Sequence, residues 1–221
     1  MKTGDIDAAR LAEIYTWTAA FYDGVVAEHQ ARAKEIAIEM LGRQPGERFL
    51  EAGVGTGWAF QRVAGASGGA WAAGLDVAIG MLEVARQRLA SGRGRRKLPD
   101  LMLGDAGRLP FRDGVFDCLL CTYTLDVLPS EMVTPVLREM RRVLKPAGRL
   151  VVAGLTAGEG EDADFSADWQ QRYAADPEYF GGARPLEAGP HLEAAGFGVL
   201  DRRYSGHGEG WPSEIILARP A

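Results

Sequence analysis

Apolar residues recur along the chain at two different periods, and the change of period divides it. Up to about residue 41 the period is helical. Leu11, Ile14, Tyr15, Thr18, Phe21 and Tyr22 fall on one face of a first helix, and a second is expected from about 25 to 41. Residues 42–46 (GRQPG) break it. Short apolar runs then alternate with helical stretches. ERFLEA (47–52) reads as a strand, 58–64 as a helix and 69–76 as a second strand. In the helix expected over 78–90, Ile79, Leu82, Ala85 and Leu89 share one side, with Arg86 and Arg88 off it. A basic loop (91–97) leads to a third strand ending near Gly104, then to a fourth in VFDCLLCTYTL. Ser130 caps a helix to about 144, and KPAG (145–148) turns into a fifth strand, RLVVAGL. Such alternation predicts an α/β fold, a parallel sheet covered on both faces, and right-handed crossovers make it Rossmann-like and doubly wound.

The ends depart from this rhythm. Residues 1–42 are expected as a helical cap, and residues 155–185 as a lid insertion after the fifth strand. The lid opens acidic and continues aromatic, and Trp169, Tyr173, Tyr179 and Phe180 would form an apolar roof over a site. A helix at 186–195 and two strands, FGVLDRRYS and SEIILAR, close the chain. All 221 residues are expected to form one domain.

The most informative segment is EAGVGTG (51–57), between a strand and a helix. Glycines there let the backbone turn sharply and approach a ligand. A dinucleotide loop reads G-x-G-x-x-G, with its third glycine beside a pyrophosphate. Counted from Gly53 and Gly55, that position is Trp58, and the glycine falls at Gly57 instead. Glu51, just inside the strand, repels a pyrophosphate and suits a ligand with a cationic amino group and a sulfonium. Asp76 ends the second strand, where a carboxylate accepts hydrogen bonds from ribose hydroxyls. Asp105 follows the third strand, where it or its neighbour can meet an adenine amino group. A helix cap or surface turn is the alternative for each Asp, but in open α/β sheets ligands bind at the carboxyl ends of the strands, where all of these stand.

With these pieces in place, the sequence resembles the class I S-adenosylmethionine-dependent methyltransferases, and among them the ubiquinone/menaquinone-biosynthesis-like (methyltransferase type 11) branch. FLEAGVGTG, GLDVAIGMLEVAR, GDAGRLPFRDGVFD, LLCTYTLDVL and REMRRVLKPAGRLVV carry the resemblance, over about 47–154. It implies a seven-stranded sheet, mostly parallel, with SEIILAR as an antiparallel last strand. It implies S-adenosyl-L-methionine as cofactor, with Glu51, Gly53, Gly55 and Gly57 lining its methionine part. Asp76 would hold the ribose, Met81 would lie against the adenine, Asp105 and Ala106 would flank it, and Thr122 would sit beside the cofactor. Tyr15 and Tyr22, in YTWTAAFYDG, resemble tyrosines that close over the cofactor, with core packing as their competing reading. The segment after the fifth strand matches no particular quinone methyltransferase.

Composition narrows the function further. The formal net charge of -5 argues against a nucleic-acid partner gripped over a wide surface. The start of the chain lacks the apolar core of a signal peptide, and no run is long enough to span a membrane, so a cytoplasmic location is expected. Cys118 and Cys121 are spaced C-x-x-C, but on a strand they point to opposite faces and read as buried hydrophobes, with no metal site implied. The expected activity is methyl transfer to a small, hydrophobic acceptor, quinone-like or another metabolite. A phospholipid amine is an alternative, with Arg93, Arg95, Arg96 and Lys97 touching an anionic membrane or simply solvated. An NAD-linked oxidoreductase and a non-catalytic S-adenosylmethionine-binding module are alternatives of other classes. If the acceptor must lose a proton, Asp126, past the fourth strand, and His207, in the turn SGHGEGW, are the candidate bases. His29 reads as solvated and His191 as a cap.

Overall fold

The computed structural model describes residues 6–65, 69–91, 99–158, 160–206 and 208–221. Helix α1 (Ala8–Tyr22) starts where the Asp7 carboxylate accepts from the Arg10 N–H at 2.8 Å. A π-helical turn, Asp23–Ala27, leads into α2 (Glu28–Leu41), which ends at Gly42 in the left-handed conformation. Then follow β1 (Phe49–Ala52), α3 (Trp58–Gly65), β2 (Ala72–Asp76), α4 (Ile79–Ser91), β3 (Asp100–Leu103), β4 (Phe116–Thr122), a 3-10 turn (Leu125–Val127), α5 (Ser130–Val143) and β5 (Leu144–Leu155). Helix α6 (Glu161–Ala175), α7 (Ala188–Ala194), β6 (Phe197–Ser205) and β7 (Ser213–Pro220) complete the order.

The seven strands form one sheet in the order β3-β2-β1-β4-β5-β7-β6. Strands β1 to β5 run parallel, while β7 is antiparallel to both β5 and β6. All four residues of β1 and all five of β2 are buried, as strands covered on both faces must be. Side chains alternate between two cores. Leu50, Leu119 and Cys121 join Val133, Leu137 and Met140 of α5 on one face, while Phe49, Leu120 and Cys118 join Ile36 of α2 and Phe60 of α3 on the other. The two thiols thus diverge. Each fully buried Leu, Met or Phe contributes roughly 1.5–3 kcal/mol.

Some expectations need correction. Phe21 does not share the buried face of α1. It is 44% exposed and packs edge-on against Trp17, because Leu11 and Ala19 take the inward stripe. The fifth strand starts at Leu144, since residues 145–148 continue it through an irregular register against β4 instead of forming a separate turn. The fourth strand stops at Thr122, because Tyr123 takes a φ of 51°, a left-handed conformation rare outside glycine.

The cap docks on α4 through backbone. A Cβ built on Gly80 would lie 2.4 Å from the Thr16 carbonyl oxygen, so α1 can approach only where no side chain intervenes. Asp23 in the π turn reinforces the docking. Its carboxylate pairs with Arg88 of α4 and accepts from Thr56 Oγ1 at 2.7 Å, and Arg88 Nε donates to the Thr56 carbonyl at 2.8 Å. Gly80→Ala is therefore expected to cost about 1–3 kcal/mol in urea unfolding and to raise amide hydrogen exchange in α1 well above that in β1 and β4. Unchanged exchange in α1 would show that the contact does not hold the cap.

Candidate active site

The carboxyl ends of β1 to β4 open into one cleft, the place where open α/β sheets bind their ligands. The cap walls one side, α1 supplying Ala8, Leu11, Tyr15 and Tyr22, and α2 supplying Lys34. The loop after β1 forms the floor. A Cβ on Gly53 would sit 1.9 Å from Thr124 Oγ1, so only glycine lets the loop pass under the turn that follows β4. The Gly53 and Val54 N–H groups both donate to the Leu75 carbonyl, at 2.8 and 3.0 Å.

Asp76 joins this loop to α4. One carboxylate oxygen accepts from the Gly55 N–H at 2.8 Å and the other from the Ala78 N–H at 2.9 Å. Each oxygen keeps a second lone pair for a ligand hydroxyl. Burial raises the Asp76 pKa, and the N–H groups of Ala78, Gly55 and Val77 oppose that rise.

Glu51 is 1% exposed, and its Oε2 has no hydrogen-bond partner. Burial holds this carboxyl well above the usual carboxylate range, with Asp76 adding to the effect and Lys34 opposing it. A buried polar atom left unpaired is costly unless a ligand completes it. Lys34 is pushed down to about 8 by burial; Arg88 adds to the fall, while Glu51, Asp23 and Asp126 oppose it. Sequence reasoning missed Lys34. The available signal was its place between Ala33 and Ala37, two buried positions of α2.

Met81, Asp105, Ala106 and Thr122 all line the cleft, as do Glu51, Gly53, Gly55 and Asp76. Tyr15 and Tyr22 both line it and pack together, edge to face at 6.2 Å. The Tyr15 hydroxyl donates to the Gly181 carbonyl at 2.9 Å, and the Tyr22 hydroxyl donates to Gln30 Oε1 at 3.4 Å. Gly57 does not join Gly53 and Gly55 in the lining. A Cβ there would meet the Ala85 Cβ at 3.0 Å, so this glycine serves the close packing of α3 on α4.

Asp126 also falls outside the lining. Its neighbours Val127 and Leu128 reach the cleft, but its own carboxyl turns toward β5 and accepts from the Leu155 N–H at 3.1 Å. The aromatic roof is a packing cluster instead. The Trp169 ring contacts Phe165, Phe180 and Trp211, its Nε1 donates to the Ala183 carbonyl, Tyr179 is exposed, and none of these aromatics lines the cleft. His29 stacks on Trp211 at 5.1 Å, and His191 hydrogen-bonds Thr134 on α5. Arg93, Arg95, Arg96, Lys97 and His207 lie outside the described residues.

Residues 50–152 match the family described as a methyltransferase domain. A malonyl-[acyl-carrier protein] O-methyltransferase of Erwinia pyrifoliae is 38% identical over 146 residues, covering 66% of this chain and 50% of that protein. A demethylmenaquinone methyltransferase of Renibacterium salmoninarum is 36% identical over 122 residues, covering 55% and 47%. Residues 50–152 thus carry a methyltransferase domain, and these matches support a class I S-adenosylmethionine-dependent enzyme of the ubiquinone/menaquinone type. It spans about half the length of these two curated relatives. The fold is likewise that of solved methyltransferases. Magnesium protoporphyrin IX methyltransferase from Synechocystis PCC 6803, with bound S-adenosylhomocysteine, superposes with a TM-score of 0.75 at 18% identity, over 97% of this chain and 100% of that one. The [4+2]-cyclase SpnF superposes at 0.76 with 22% identity, over 99% and 98%.

The cofactor of this methyltransferase domain is S-adenosylmethionine, and the cleft suits it. Three carboxylates line it, Glu51, Asp76 and Asp105, against one cation among the described residues, Lys34. That excess matches a ligand with a sulfonium, an ammonium and a ribose diol, and the unpaired Glu51 Oε2 matches the ammonium.

Asp126 has a role in stability that can be measured. Its Oδ1 is unpaired, and burial lifts its pKa from 3.8 to about 6, with the Leu155 N–H as the largest opposing influence. The folded state therefore binds a proton more tightly than the unfolded chain. Stability from this group is fully present below about pH 4 and declines as pH rises through 6. Asp126→Asn is expected to raise stability by about 1–3 kcal/mol at pH 8, with the gain vanishing near pH 4. Urea unfolding at both values checks this; a loss of stability at pH 8 would show that the ionised carboxylate is held favourably.

Proposed function

We propose that this protein transfers the methyl group of S-adenosylmethionine to a small, apolar acceptor. The observation that carries the reading is the division of the cleft lining. Its acidic groups are Glu51, Asp76 and Asp105, which suit the cofactor's amino acid, ribose and adenine. The remaining wall, from Leu11 and Tyr15 of α1 and Val127 and Leu128 after β4, is mostly hydrocarbon. Gly182 packs behind it, where a Cβ would meet Leu11 at 3.0 Å and the Val127 carbonyl at 3.1 Å.

When bound, the cofactor supplies a methyl group already activated on a sulfonium. Glu51, Asp76 and the glycine loop fix its position, while Leu11, Val127 and Leu128 exclude water. Such alignment can supply up to roughly 7–11 kcal/mol of a barrier. The Tyr15 and Tyr22 rings line the same space, and an aromatic face stabilises a cation by about 0.5–2 kcal/mol. The relatives named above methylate different acceptors, malonyl-[acyl-carrier protein] and demethylmenaquinone, so the apolar wall carries the choice of class. An NAD-linked alternative places Glu51 against a pyrophosphate, and Trp58, whose ring lies 3.5 Å from the Arg62 guanidinium, opens α3 where a third glycine would stand.

A fold does not fix a function, so the second reading is cofactor binding without transfer. Methyl-labelled S-adenosylmethionine, incubated with the protein and a cell extract, separates the two. Label is expected in the organic phase. Label in the aqueous phase alone would replace the apolar acceptor with a polar metabolite, and tight binding with no label would favour the second reading. Glu51→Gln preserves shape and removes charge. It is expected to weaken S-adenosylhomocysteine at least about tenfold in calorimetry; unchanged affinity would separate Glu51 from the amine.

A further inference from the structure

Strand β6 is the last of the sheet on its side, and among the described strands it is bonded to β7 alone. Its outer edge is long. Nine residues form it, against four in β3 at the opposite edge, and Leu200, Asp201, Arg202, Arg203 and Tyr204 are all exposed. A strand so placed offers backbone N–H and C=O groups to another chain, and proteins discourage that with short edges or with like charges that repel a copy. Here the charges do the reverse. We propose that β6 pairs antiparallel with β6 of a second copy of this chain, about a two-fold axis at Arg202, and so joins the two sheets edge to edge.

That axis sets residue 201 of one copy against residue 203 of the other. Asp201 then faces Arg203 twice, once on each side of the axis, and directly opposed residues of unlike charge stabilise an antiparallel pair. The same register brings Leu200 against Tyr204, so exposed apolar surface is covered beyond each ion pair. A register shift against β7 between Val199 and Asp201 ends the regular edge there, so the pairing is short and centred on these charges. Within one chain Arg203 reaches Glu39 at 2.9 Å and Asp201 at 3.4 Å, and all three side chains are exposed, so these pairs are weak enough to exchange. Arg202 meets its own copy at the axis. Glu214 holds it at 2.8 Å and Glu187 lines the same groove, so each copy brings acids to balance the two guanidinium groups. Strands β5 and β7 stand between β4 and β6, which keeps the join away from the cofactor cleft.

Sedimentation of the full chain across the micromolar range tests the join. Wild type is expected to shift from monomer to dimer as its concentration rises. Asp201→Arg sets arginine against arginine on both sides of the axis, and Arg203→Asp sets aspartate against aspartate. Each variant alone should associate at least about tenfold more weakly than wild type. An equimolar mixture of the two restores unlike charges at both positions and should associate as wild type does, which also shows that both variants are folded. Three results would overturn the proposal: a wild type that stays monomeric, single variants that associate as tightly as wild type, or a mixture that associates no better than its components.

Discussion

The carboxylate of Asp76 holds two backbone N–H groups from different elements, Gly55 in the loop after β1 and Ala78 at the entrance of α4. Most of the cleft hangs on that bridge. The loop is already pressed against β2 by two bonds to the Leu75 carbonyl, and it is roofed by Thr124, which only glycine at 53 accommodates. Were the loop free to move, Glu51 would gain water and lose its unusual ionisation, and the floor would no longer present its edge to a ligand. A buried carboxylate is costly, and this one is tolerated because its N–H partners recover part of the desolvation. One residue thus positions the floor and remains available to a ribose.

The cap extends the same logic across α4. Gly80 allows the α1 backbone to touch, and Asp23 ties the π turn to both Thr56 and Arg88. Because Thr56 belongs to the glycine loop, the cap and the floor are joined directly and not merely through the core. Tyr15 adds a third link, from α1 to Gly181 in the segment after α6. A cleft made of a sheet edge alone would be open on one side. The cap closes it, and the side chains it contributes, Leu11, Tyr15, Tyr22 and Lys34, face what binds there.

The parts legible in the sequence were those set by local pattern. Strand ends followed by glycine or aspartate read directly, so Glu51, Gly53, Gly55, Asp76 and Asp105 stand where strand and loop spacing put them. Where a side chain's direction depended on a distant partner, local pattern failed. Asp126 follows the fourth strand, but the 3-10 turn rotates its carboxyl onto β5 while its two successors face the cleft. The aromatics after β5 read as a roof over the site, yet Trp169 packs on Trp211, far along the chain, and Tyr179 is exposed. Gly57 looked like its two neighbours in the motif, yet Ala85 explains it. Lys34 was invisible for the same reason: a lysine within a helix reads as solvated until the docking of that helix is known.

The charge balance of the cleft bears on the direction of the proposed reaction. Three carboxylates and one ammonium line the cleft, and burial holds the Glu51 carboxyl well above the usual carboxylate range, with Asp76 adding to the effect. A donor bearing a sulfonium supplies positive charge. Once the methyl group leaves, the sulfur is neutral and the ligand as a whole is a zwitterion without net charge. Its amino acid and ribose keep their partners, but the long-range attraction of the carboxylates is lost, and in a low dielectric that loss is felt over several ångströms. The same groups that draw the donor in therefore hold the product less tightly, so differential binding favours exchange of spent cofactor for fresh. Under this argument the burial of Glu51 without a partner is not a defect of packing. It is the source of the discrimination between the two forms of the nucleoside, at the expense of stability in the empty protein.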